Sequence, residues 1–198
     1  RGLGDVYKRQ VRSRLMGIPT LIKTLTADDD ASLSFVDGTD SVVLDSTYDE
    51  YMFVFTDINP ATDATYFSFQ VNAAGASGYN ETITSTSFYA YHNEDNSATG
   101  LAAHSGSDQA QGTAYQHLTY ESGNGTDESI AGILYLFSPS STTYVKHFQS
   151  RTNSYYSSNI SWEQHNSGYF NVTTAIDEIS FKMASGNFDG VIQMYGIS

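Results

Sequence analysis

From Ile18 onward, short runs of alternating apolar and polar residues are separated by clusters of Gly, Asn, Asp and Ser, the pattern of strands and turns. Residues 66–71 alternate cleanly, with Phe67, Phe69 and Val71 on one side and Tyr66, Ser68 and Gln70 on the other. Ile179-Ser180-Phe181-Lys182-Met183 repeats the pattern. Residues 51–55 (Tyr-Met-Phe-Val-Phe) are apolar on both faces, which predicts a central strand, broken by Asn59-Pro60. Further strands are expected at 20–26, 32–36, 42–44, 86–92, 116–120, 132–138, 143–150, 168–173, 178–183 and 191–197. Asp28-Asp29-Asp30 and Asp37-Gly38-Thr39-Asp40 are predicted turns. Residues 93–113 form the longest predicted loop, and the polar stretches 153–158 and 164–167 are read as loops too. A helical period is hinted at only over 127–131. About eleven short strands at this spacing predict an all-β fold, an antiparallel β-sandwich of jelly-roll type.

Composition supports a single packed domain. The chain has 198 residues, 39% of them hydrophobic, with 15 Tyr and 11 Phe against one Trp. Aromatic side chains suit a pleated, half-buried surface. There is no cysteine, hence no disulfide framework and no thiolate metal site.

Charge narrows the range of partners. Five of the nine basic residues (Arg1, Lys8, Arg9, Arg12, Arg14) precede Met16, with one acid, Asp5. From Met16 on, four bases face 21 of the 22 acids, so the formal charge deepens from −13 to −17. Nucleic acids and anionic membranes need clustered Lys and Arg, and neither is an expected partner. No apolar run is long enough for a transmembrane helix.

Residues 1–10 (Arg-Gly-Leu-Gly-Asp-Val-Tyr-Lys-Arg-Gln) look like the translated end of a transposase-based sequencing adaptor. Residues 1–15 are accordingly expected to be adaptor-derived and disordered, with a single sandwich domain over 16–198.

Few constellations suggest chemistry, and no catalytic or cofactor-binding residue stands out. His104-Ser105-Gly106-Ser107-Asp108 has the residue types of a catalytic triad, but triads assemble from distant segments, so a solvated loop is the expectation. Five histidines (His92, His104, His117, His147, His165) lack ligand spacing. The acidic loops around Asp28 and Asp30, Asp95, and Asp127 offer oxygens of the kind calcium takes, though none fits an EF-hand and hydrophilic turns compete as the reading. Tyr155 and Tyr156, followed by Trp162, sit among Ser and Asn, a setting suited to stacking on sugar rings; the competing reading is that Trp162 anchors a strand in the core and the tyrosines cover its rim.

One resemblance covers the whole of 16–198. Met16-Gly17-Ile18-Pro19-Thr20-Leu21-Ile22-Lys23-Thr24-Leu25-Thr26-Ala27, then Ser32-Leu33-Ser34-Phe35-Val36-Asp37-Gly38, resemble the opening of small structural proteins of marine bacteriophages. Ser140-Ser141-Thr142-Thr143-Tyr144-Val145-Lys146-His147-Phe148 and the Ser185-Gly186-Asn187 to Tyr195-Gly196-Ile197 terminus are similar to that family as well. The resemblance implies a non-enzymatic virion component (tail, fibre or capsid surface) made in a bacterial host's cytoplasm. Its expected partners are copies of itself, in a trimer for instance, other virion proteins, and a cell-surface glycan. It carries no functional residues over. A carbohydrate-binding, lectin-like module and a β-sandwich glycan-active enzyme are the competing readings.

Overall fold

The computed structural model describes residues 17–198, so the adaptor-like segment lies outside the described residues. Its thirteen strands form two antiparallel sheets packed as a sandwich. The larger sheet contains β1 (Thr20–Asp30), β3 (Glu50–Pro60), β5 (Ile83–Asn93), β6 (Thr99–Ala103), β7 (Ala110–Gly112), β9 (Ile130–Phe137), β10 (Lys146–Tyr156), β11 (Ile160–Phe170) and β13 (Phe188–Ile197). Its order is β1-β13-β3-β9-β10-β11-β5-β6, with β7 also on β5. The smaller sheet runs β2 (Leu33–Val36), β12 (Ile176–Met183), β4 (Phe67–Ala73), β8 (Gln116–His117). This nine-plus-four division does not by itself spell the two Greek keys of a jelly roll.

The core sits where the predicted alternations meet. Phe181 of β12 lies at its centre, with ring centroids 5.4 Å from Phe53, 5.3 Å from Phe55, 6.1 Å from Phe67 and 6.3 Å from both Phe35 and Phe69. All six rings are buried, and burying each contributes about 1.5–3 kcal/mol. Tyr51 is buried with Phe53 and Phe55 in the same core.

Several boundaries differ from the sequence-based reading for local reasons. The predicted Asp28–Asp30 turn is instead the end of β1, where a bulge with Asp29 at φ 57° keeps the chain paired to β13. β3 runs through Asn59-Pro60 with its own bulge and Asp57 at φ 52°. Residues 42–44 form no strand, yet Val42 and Leu44 are buried. The expected loop at 93–113 contains β6 and β7. The expected loops at 153–158 and 164–167 lie largely inside β10 and β11, which pair in register from Lys146↔Phe170 to Tyr156↔Ile160. No helix forms at 127–131. In β4, Ser68 and Gln70 are buried along with the phenylalanines. The Gln70 amide donates to the carbonyls of Glu81, Thr113 and Ala114, so the loops around 79–81 and 113–116 cover this strand's second face.

Candidate functional site

The four-stranded sheet covers only one side of the nine-stranded one. Among the described residues nothing packs over the other side, and alternation decides what stands there. β3 directs Met52 and Val54 outward, β9 directs Ile133, Tyr135 and Phe137, and β13 directs Val191, Gln193, Tyr195 and Ile197, all half-buried by their neighbours. Register places them in rows across the sheet. One row runs Leu21↔Tyr195↔Met52↔Tyr135↔Gln149↔Ser167↔Thr86. The next runs Gln193↔Val54↔Ile133↔Arg151↔His165↔Phe88.

The face thus has two halves. The half on β1, β13, β3 and β9 is mainly apolar, and its rim residue Leu21 is 51% exposed. The half on β10, β11 and β5 is polar and aromatic. Its charges are gathered at one spot, where Arg151 Nε donates to Glu163 and His165 Nε2 lies 3.1 Å from the same carboxylate oxygen. The hydrogen bond from Arg151 holds the Glu163 carboxyl below its ordinary range, and the charges of Arg151 and His165 add to this. Phe88 stacks flat on the His165 ring with centroids 4.7 Å apart.

At the far end of this polar half, a shallow groove crosses the sheet. One lobe of about 520 Å³ lies between Phe137, His147, Gln149, Ser167 and Tyr169, with Thr84 and Thr86 along its wall. Gly168 forms part of its floor, and a Cβ there would lie 2.6 Å from the Thr84 carbonyl oxygen, so only glycine lets β11 approach β5 this closely. A second lobe of about 540 Å³ shares Phe137 and His147 and is bounded by Thr143, Tyr144 and Thr173. Tyr144 is 74% exposed, and His147 meets Tyr169 edge-on at 5.9 Å. None of the residues lining either lobe carries a formal charge at neutral pH when His147 is neutral.

The sequence-predicted aromatic site is divided by the fold. Trp162 is buried at 7% exposure on the inner face, with Tyr89 stacked on it at 4.0 Å and Tyr91, Tyr120 and Tyr156 within 6.0 Å. Its indole N–H donates to Gln164 Oε1 at 3.3 Å, and no ring face is left for a sugar. Tyr155 and Tyr156 stay half-buried near the β10–β11 turn. Tyr155 donates to Asn159 Oδ1 at 3.1 Å and Tyr156 to Glu121. Burial, then the bond to Glu121, raise the Tyr156 pKa well above that of a free tyrosine.

Beneath Trp162, β10 and β11 line the interior with polar side chains. Gln164 donates to Asn166, which donates to Ser150, while Thr152 Oγ1 donates to the Leu118 carbonyl. His104 and Ser107 do meet, at 2.9 Å from Nδ1 to Oγ. However, the pair closes a tight turn and Ser107 is only 3% exposed, so its hydroxyl is shut away from any substrate rather than solvated on a loop.

The acidic segments cap themselves. Asp30 Oδ2 accepts from the Asp28 amide at 3.1 Å, Asp95 Oδ1 accepts from the Ser97 amide at 2.9 Å, and beside Asp127 the Glu128 carboxylate accepts from the Gly125 amide at 2.7 Å. The described residues bring no three or more His, Asp or Glu together in a metal-holding cluster.

The groove and the apolar half were not foreseen from the sequence. For the apolar half the signal was present in the outward positions of β9 and β13, where Ile133, Tyr135, Phe137, Val191 and Tyr195 alternate with core residues. No family model, curated protein or solved structure matches the chain.

Proposed function

We propose that this domain is a non-enzymatic structural or adhesion component of a bacteriophage particle, assembled through the apolar half of its uncovered sheet face. The observation that carries this reading is that face. Met52, Val54, Ile133, Val191 and Tyr195 form a charge-poor surface on a domain whose formal charge from Met16 on is −17. Depletion of charge at the centre of a patch is the compositional mark of a protein interface. An uncovered sheet face with long apolar side chains is also an aggregation liability unless a partner covers it. The resemblance of the Met16–Ala27, Ser32–Gly38 and terminal segments to marine phage structural proteins supplies the setting.

The test is proteomic. Phage particles banded from a lysate that carries this gene are expected to contain the protein in many copies each. Recovery only from the soluble fraction, absent from the particle band, would contradict the proposal.

A further inference from the structure

We infer that the two-lobed groove across β9, β10, β11 and β5 is a binding site for a neutral oligosaccharide. This deepens the adhesion reading, on which it rests for its setting, while its geometry stands apart from the apolar half. Four features argue for it.

The first is size and shape. Each lobe, at about 520 and 540 Å³, falls within the roughly 300–1,000 Å³ of small-ligand sites, and the shared Phe137 and His147 make the two lobes one track. A shallow, extended track suits a chain of sugar rings better than a compact metabolite.

The second is the lining. Sugars present apolar C–H faces ringed by hydroxyls, so their sites pair flat aromatic surfaces with neutral donors and acceptors. Here Tyr144, Phe137 and Tyr169 supply the aromatic surface. Gln149, Ser167 and the Thr84 and Thr86 hydroxyls stand beside them on the same face.

The third is exposure. Tyr144, 74% exposed, is a large aromatic residue held out at the rim of the groove. The turn carrying it is fixed, because Ser141 Oγ accepts from the amides of Thr143 and Tyr144 at 3.3 and 3.0 Å.

The fourth is charge. The groove carries neither a lysine nor an arginine, and the domain around it is strongly acidic. Uronates and sulfated glycans would be repelled with nothing to neutralise them, which points to uncharged sugars.

The experiment uses the full chain on an array of neutral hexose and N-acetylhexosamine oligomers, with oligouronates and sulfated oligomers as the anionic set. Binding to at least one neutral oligomer and to none of the anionic ones is expected. For the tightest ligand, Tyr144→Ala and Tyr169→Ala are each expected to weaken binding about tenfold by calorimetry. Tyr155→Ala, away from the groove, is expected to leave it unchanged. Tyr144 is exposed, so an unaltered melting curve for its variant excludes misfolding as the cause. Failure to bind any neutral oligomer, binding confined to anionic ones, or affinity untouched by Tyr144→Ala would each overturn the inference. The solution mass of the same samples keeps the two readings apart. Oligomers without sugar binding sink only the groove, and a monomer that binds sugar sinks only the assembly.

Discussion

Single residues shape two strained places in this sandwich. Gly190 adopts φ 133° at a bulge in β13, and a Cβ there would lie 2.7 Å from the Asp57 carbonyl oxygen and 2.8 Å from Ile58 Cα. Asp29 and Asp57, on the strands to either side, are also left-handed, so the irregularities of β1, β13 and β3 fall side by side and bend the sheet together. Gly190→Ala is therefore expected to destabilise the protein by about 1–3 kcal/mol in chemical denaturation. The second place is the pair His104 and His117. Burial pushes both imidazoles below their ordinary range, and the charge of His104 adds to the effect on His117, although Asp108 and Gln164 oppose it at His104. His117 Nδ1 is buried without a hydrogen-bond partner, its ring stacked on Tyr66 at 4.5 Å. The folded state thus favours the neutral ring. That stabilisation is fully present above the unfolded-chain value near 6.5 and is lost as pH falls toward the lowered folded values. A lower melting midpoint at about pH 5.5 than at about pH 7.5 is therefore expected. His117→Gln should narrow that difference.

At the scale of elements, legibility followed how apolar each strand's inner face is. β2, β4, β12 and β13 were readable because Phe35, Phe69, Phe181 and Ile192 alternate with their neighbours on a fully apolar core. β10 and β11 were half-hidden. Their inner faces change from Phe148 and Phe170 to Ser150, Thr152, Gln164 and Asn166, which are buried but polar, so alternation was erased where the strands continue. The 51–55 segment was correctly placed at the middle of a sheet. Its apolar outward residues Met52 and Val54 stand on the side of the sheet that the second sheet does not cover. The candidate groove was illegible because its residues come from β5, β9, β10, β11 and two loops, joined only by register. Trp162 follows the core-anchor reading of its segment and not the sugar-stacking one, its ring wedged between tyrosines. As the sole tryptophan, it provides a direct readout. Its emission should be blue-shifted and poorly quenched by iodide, and a sugar bound in the groove should leave it unmoved. Trp162→Ala should cost about 3–5 kcal/mol, because the cluster of Tyr89, Tyr91, Tyr120 and Tyr156 collapses only partly into the space left.

For the whole molecule, acidity and the apolar face pull in opposite directions. A formal charge of −17 from Met16 on repels a second copy, while the row from Leu21 through Tyr195, Met52 and Tyr135 favours contact. The repulsion is screened over a Debye length of about 8 Å at physiological salt and about 3 Å at 1 M, whereas apolar burial persists. Self-association should therefore strengthen as salt rises, the reverse of an assembly held by ion pairs. The most direct measurement is sedimentation equilibrium of the chain at low and high salt, with Val54→Glu/Ile133→Glu as the comparison. An oligomer that grows with salt in the parent and a monomer in the double variant are the expected results. A monomer at every salt and concentration, or an oligomer indifferent to the two glutamates, would contradict assembly through this face.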